Sequence, residues 1–190
     1  VMLTGILFLA GCDINKIPTL DEAVKAQWAQ VQNQYQRRAD LIPNLVEVVK
    51  GFATQEKEVL TAVTEARAKA TQMTLPSDVL TNPQAFQAFQ QNQGALTSAL
   101  ARLMVVVERY PELKSDRNFL ELQAQLEGTE NRIAVARRDY IQSVQEYNTE
   151  IRTFPGRLWA MTLYSDAEIK ASFEAVNPDA AATAPKVDFK

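Results

Sequence analysis

The chain holds 190 residues, 46% of them hydrophobic and 23% charged, with a formal net charge of −3. That is enough for one domain with a real core, and it gives no electrostatic reason to expect nucleic acid or a polybasic membrane patch. There is no histidine and only one cysteine. Ser-His-Asp and Cys-His catalysis, histidine zinc sites, the Glu-x-x-His ligands of di-iron bundles, thiolate metal clusters and internal disulfides are thereby excluded. Carboxylate-only, Ser-Lys or tyrosine chemistry remains open, but an enzyme is the minority reading. No catalytic, cofactor-binding or metal-ligating set is predicted.

Residues 1–12 read Val-Met-Leu-Thr-Gly-Ile-Leu-Phe-Leu-Ala-Gly-Cys. The apolar run is too short to span a bilayer, which takes ~20 residues, and it suits the hydrophobic region of a signal peptide. No Lys or Arg precedes it and it opens on Val1, so residues upstream or an alternative start codon are expected. Leu9-Ala10-Gly11-Cys12 resembles a bacterial lipobox, in which the signal is cut before the cysteine and the thiol takes a diacylglyceryl group. Cys12 is the predicted lipidation site, and several acyl chains anchor stably where one does not. Asp13 resembles the inner-membrane retention residue of enterobacterial lipoproteins. It predicts the periplasmic face of the inner membrane in a Gram-negative cell. Residues 13–18 are then a short tether of at most ~20 Å, 19–156 the bundle, and 157–190 an apolar segment with a mobile tail.

From there the periodicity is helical. Thr19-Leu-Asp-Glu22 has the spacing of a capping box, and the first helix carries Leu20, Val24, Trp28, Val31, Tyr35 and Ile42 on one stripe. Pro43 lacks an N–H and pushes Ile42 out of the helical region. The first helix is therefore predicted to stop or kink at Leu41–Ile42, and a second to open with Pro43 at its first position. It runs to about Met73 on Leu45, Val49, Phe52, Val59, Val63, Ala66 and Ala70. Leu75-Pro76-Ser77-Asp78 and Thr81-Asn82-Pro83 punctuate a loop, and Asn82 caps a third helix.

That third helix alternates steps of three and four through Phe86, Phe89, Gln93, Leu96, Leu100, Leu103, Val107 and Tyr110, and Pro111 ends it. Ser115 or Asp116 caps a fourth. It repeats Phe119, Leu122, Leu126, Thr129, Ile133, Ala136, Tyr140, Val144, Tyr147, Ile151 and Phe154, with one stutter after Ala136, until Phe154-Pro155-Gly156 stops it. The second to fourth helices would be roughly 46, 39 and 57 Å long. Long amphipathic helices on short loops predict an all-α, up-and-down antiparallel four-helix bundle. Beyond it, Leu158, Trp159, Met161, Leu163 and Tyr164 form an apolar cluster that packs on the bundle end or meets a membrane surface or a protein. Asn177 to Lys190 reads as a mobile tail.

These residues carry a resemblance. Arg37-Arg-Ala-Asp-Leu-Ile-Pro-Asn-Leu-Val46, Val49-Lys-Gly51 and Glu65-Ala-Arg67 look like the first half of the LemA family. Arg109-Tyr-Pro-Glu-Leu-Lys114, Asn118-Phe-Leu120, Leu126-Glu-Gly-Thr-Glu-Asn-Arg-Ile133, Ala136-Arg-Arg-Asp-Tyr140, Tyr147-Asn148 and Phe154-Pro155 look like its second half. Phe173-Glu-Ala175 and Ala184-Pro-Lys-Val-Asp-Phe189 are similar to its C-terminal motif. Ile141 stands where members commonly have Asn, and the lipobox stands where many have a transmembrane helix. The resemblance implies a membrane-anchored helical bundle with no assigned reaction and no catalytic residues to carry over. Members often occur near membrane metalloproteases and TPM-domain proteins, which suggests an envelope partner of that kind by association.

Arg37, Arg38, Asp40 and Asn44, taken as exposed at one end of the bundle, are the candidate partner-facing residues. Glu127 and Glu130 lie at i,i+3 and could share acid–base work, though such pairs are mostly solvated helix surface. Glu130 and Arg137 lie two turns apart on one face. Gly128 inside a helix suggests a close neighbour. The reading is a lipid-anchored bundle of the bacterial envelope acting by protein contact as a scaffold or adaptor. The alternatives are a carboxylate hydrolase and an oligomeric surface assembly.

Overall fold

The computed structural model describes residues 14–73 and 75–173. These form α1 (Lys16–Phe52), α2 (Lys57–Gln72), α3 (Pro83–Val107), the single turn α4 (Pro111–Lys114), α5 (Arg117–Glu150) and the short α6 (Gly156–Thr162). The class is all-α, as predicted, with no strand among the described residues. α1 packs most closely along α5, and α2 along α3. Lys16 meets Glu150 and Arg38 meets Glu130, so α1 and α5 run antiparallel. Gln93 reaches Ala70 and Tyr110 reaches Glu56, so α2 and α3 do too.

Two predicted caps are in place. The Asn82 side chain accepts from Ala85 N at 3.1 Å and opens α3 before Pro83. The Asp116 side chain accepts from Phe119 N at 2.9 Å and opens α5. Pro111 ends the third stripe as expected, but it also starts α4.

The predicted stop at Pro43, with a new helix opening there, is not found. α1 runs unbroken for 37 residues, about 55 Å, with an exposed Pro43 inside it. The chain reverses later, at Ala53–Glu56. Proline leaves the Ala39 carbonyl without its usual donor four residues on. Arg67, reaching across from α2, donates its Nε–H to that carbonyl at 2.8 Å. A partner distant in sequence replaces the bond, so the helix continues.

The helix also starts earlier than the capping box placed it. α1 begins at Lys16 inside the predicted tether, with Ile17 buried. Pro18 sits in the first turn, where backbone N–H groups lack partners anyway. Thr19 donates its hydroxyl to Asn15 O, and Glu22 pairs with Lys25, so no capping box forms. Residues 1–13, with the leader and Cys12, lie outside the described residues, as does the tail from 174 on.

The core falls into two clusters. One is built on Trp28, Tyr35, Phe86, Phe89, Tyr140, Tyr147 and Phe173, the other on Ile42, Leu45, Val49, Leu96, Leu103, Leu113 and Phe119. In the first, the Trp28 ring lies 5.1–6.4 Å from Phe86, Phe89, Tyr140 and Phe173, in tilted and edge-on contacts favourable for aromatic pairs. The α5 stripe is buried as predicted except at Leu122 and Phe154. Leu122 is half-buried, and Phe154, past the end of α5, is 84% exposed.

Segment 163–173 is stitched back onto the helices rather than loose. Ala171 N donates to Leu80 O, Tyr140 Oη to Ala171 O at 2.7 Å, and Lys170 N to Asn148 Oδ1 at 2.9 Å. Asn148 Nδ2 answers Lys170 O at 2.9 Å, and Phe173 plugs the aromatic cluster.

Candidate functional site

The polar side chains that matter most sit between the two core clusters, halfway along the molecule. Arg38 on α1 is 1% exposed. Its Nη1 donates to Thr97 Oγ1 at 2.9 Å and to Glu130 Oε1 at 3.0 Å. Its Nη2 donates to Gln93 O at 3.2 Å and to Gln93 Oε1 at 2.6 Å. The guanidinium also lies 5.0 Å from the centre of the Tyr35 ring. Gln93 is itself buried, and Thr129 satisfies its hydroxyl on Gln125 O at 2.8 Å. One layer thus ties α1, α3 and α5 together at a fixed register.

This corrects the expectation that Arg38 is exposed at the end of the bundle. Because α1 does not turn at Pro43, residues 37–44 lie mid-body and Arg38 points inward. Arg37, Asp40 and Asn44 are exposed beside it, with Gln36 donating to Asp40 at 2.7 Å. The four candidates therefore divide into one buried strut and three surface side chains.

The layer is suited to holding, not to proton transfer. Arginine does not deprotonate in proteins, and among the described residues the carboxylate paired with it, Glu130, is occupied as its counter-ion. Glu127 is exposed and accepts from Gln123 at 2.9 Å, so Glu127 and Glu130 do not share a site. Arg137, two turns from Glu130 on the same helix, lies over the Phe173 ring at 4.4 Å. Gly128 admits no close neighbour: an added Cβ would meet only the Arg132 side chain, at 3.5 Å.

A second polar group joins α1 to the C-terminal segment. Lys170 Nζ is 2.8 Å from Asp21 Oδ1, and Lys25 Nζ 2.7 Å from Asp21 Oδ2. Burial alone would raise the Asp21 pKa, but the hydrogen bonds and charges of Lys170 and Lys25 outweigh it and hold the carboxyl below its ordinary value. Burial pushes the Tyr147 phenol up to about 12 and raises Tyr140 and Tyr35 as well. An open groove of about 800 Å³ runs along α1 and α5 beside Lys16, Leu20, Ile141 and Glu150. Among the described residues no three His, Cys, Asp or Glu side chains gather as a metal would require.

The sequence reading missed Arg67, Gln93, Thr97 and Lys170 as structural partners. Arg67 had a signal, since it stands in the Glu65-Ala-Arg67 segment of the resemblance.

The LemA family matches residues 27–189 of the chain. The chain belongs to the LemA family. Two magnetosome proteins of Paramagnetospirillum magneticum, MamQ 1 and MamQ 2, are each 26% identical to it over 157 residues, 74% of this chain and 58% of the relative. Magnetosome protein MamQ of Magnetospirillum gryphiswaldense is 25% identical over 163 residues, 77% of this chain and 60% of the relative. The LemA-family chain thus spans about three fifths of the length of these curated relatives. No helix among its described residues is long and apolar enough to cross a membrane.

Proposed function

We propose that this LemA-family chain is a lipid-anchored scaffold or adaptor of the bacterial envelope, held to the membrane through Cys12 and acting by contact with an envelope protein. The observation that carries the reading is the fate of the polar side chains. Arg38, Gln93, Thr97 and Glu130 are occupied in bracing three helices against one another, while Arg37, Asp40 and Asn44 remain at the surface of the same braced section. A stiff body with a polar face suits presentation better than turnover. The anchor rests on Leu9-Ala10-Gly11-Cys12 and on Cys12 being the sole cysteine. Asp13 favours the periplasmic face of the inner membrane.

The partner most in keeping with the family is a membrane metalloprotease or a TPM-domain protein. Photo-crosslinking from positions 37, 40 and 44 in native membranes, followed by mass spectrometry, should capture one envelope protein reproducibly. Adducts scattered over unrelated proteins, equal to those from exposed Val105, would refute a docking face there. Separately, Cys12→Ser should abolish metabolic labelling by a fatty-acid analogue. Label retained in that variant would refute Cys12 as the site.

A further inference from the structure

α6 carries four consecutive apolar residues, Leu158 to Met161, so apolar side chains face solvent as well as the core. Trp159 and Ala160 pack on the aromatic core cluster. Leu158 and Met161, one turn apart, face away from it and are 47% and 69% exposed. Phe154 before the helix and Leu163 after it are 84% and 58% exposed. Four large apolar side chains within ten residues thus stand in solvent at one end of the body, where scattered single residues would need no explanation.

Two further observations say what covers them. The first is position. The salt bridge from Lys16 to Glu150 and the packing of α6 against α1 put the start of α1 at this same end. Cys12 is four residues ahead of Lys16, within ~14 Å of extended chain. The second is charge. Between residues 151 and 165 the chain carries Arg152 and Arg157, both exposed, and no acidic residue. Asp166 and Glu168 follow only beyond the patch, and Glu150 is neutralised by Lys16. Apolar side chains flanked by arginines, with an aromatic at their base, suit the interface of a bilayer that carries anionic headgroups.

We infer that the end surface formed by Phe154, Leu158, Met161 and Leu163 rests in the headgroup region of an anionic phospholipid bilayer, so that the molecule stands on the membrane through α6 as well as through its lipid. The inference rests on the anchored reading above, and its test separates the two. Trp159 is the reporter. The other tryptophan, Trp28, is buried in the core twelve residues along α1 from Lys16, about 18 Å of helix, out of contact with lipid.

The full chain is reconstituted with phosphatidylcholine vesicles rich in phosphatidylglycerol, with and without brominated acyl chains. Flotation reports attachment, and quenching of tryptophan fluorescence reports contact. The expected result is flotation with loss of the Trp159 emission, a loss absent in Trp159→Phe. The paired change Leu158→Glu with Met161→Glu should abolish quenching while leaving the helical circular dichroism and, through the anchor, flotation intact. A chain that floats without quenching refutes the α6 contact and leaves the anchor standing. A Cys12→Ser chain that still shows quenching on phosphatidylglycerol vesicles supports the contact whatever becomes of the anchor. Concentration-dependent dimers lost in the paired variant, with no quenching of the parent chain, overturn the inference in favour of a second copy as the occupant.

Discussion

The bond between Arg67 and the Ala39 carbonyl can be tested as a double-mutant cycle with Pro43. Arg67→Met keeps the length and apolar character of the stem but removes the Nε–H that lies 2.8 Å from that oxygen. A hydrogen bond from a charged donor contributes about 1.5–3 kcal/mol. With Pro43 present the carbonyl has no intrahelical donor to fall back on, so a loss in that range is expected. Pro43→Ala taken alone should stabilise. It relieves ~3 kcal/mol of intrinsic helix penalty and gives up ~1 kcal/mol through greater freedom of the unfolded chain, a net gain of about 2 kcal/mol. The two changes should not add. Alanine at 43 supplies an N–H to the Ala39 carbonyl, so Arg67→Met in that background should cost ~1–1.5 kcal/mol less than in the parent. Urea denaturation of the four proteins, followed by circular dichroism, gives each free energy. Amide exchange around Asp40–Asn44 should slow in Pro43→Ala. Additivity within ~0.5 kcal/mol would show that Arg67 does not stand in for the missing donor, and the explanation for the unbroken α1 would fail.

Arg38→Met should destabilise by ~1–3 kcal/mol, because Gln93 and Thr97 lose a buried partner while half-exposed Glu130 recovers water. Arg38→Lys should recover little of that in a thermal melt, since one ammonium cannot span Gln93, Thr97 and Glu130 together; full recovery would mean only charge matters there. Gly156→Ala should lower the melting temperature, as its Cβ would run into the Glu150 carbonyl, at a cost of ~1–3 kcal/mol. Gly128→Ala should raise it by ~1 kcal/mol of stability, there being room for the methyl, and calorimetry showing the same sign for both would contradict these backbone positions. On the alkaline side, burial pushes the Tyr147 phenol up to about 12 and raises Tyr140. A folded pKa above the unfolded value of ~10 makes their contribution complete below pH ~10 and lost as pH climbs towards 12. Ultraviolet titration should therefore show a late group of phenolates ionising together with unfolding; a single step near pH 10 for all five tyrosines would refute it.

Local chemistry carried much of this protein's form on its face. The three-and-four spacing from Phe119 to Ile151 marked the seam of α5 because burial of one helical stripe is a periodic demand, met wherever the helix packs. Asn82 and Asp116 were legible as caps because a cap is satisfied within three residues of itself. The absence of histidine and the single cysteine bounded the chemistry without any coordinates. What tertiary structure alone decided were features whose cause lies far along the chain. Pro43 reads as a break under local rules, yet Arg67, from the next helix, supplies the bond that proline removes. Arg38 reads as a surface charge beside Arg37 and Asp40, yet Gln93, Thr97 and Glu130 converge on it from α3 and α5 and make its burial tolerable. A charge can be buried only where partners meet it, and which residues meet is set by the packing of the helices, not by the spacing within any one of them.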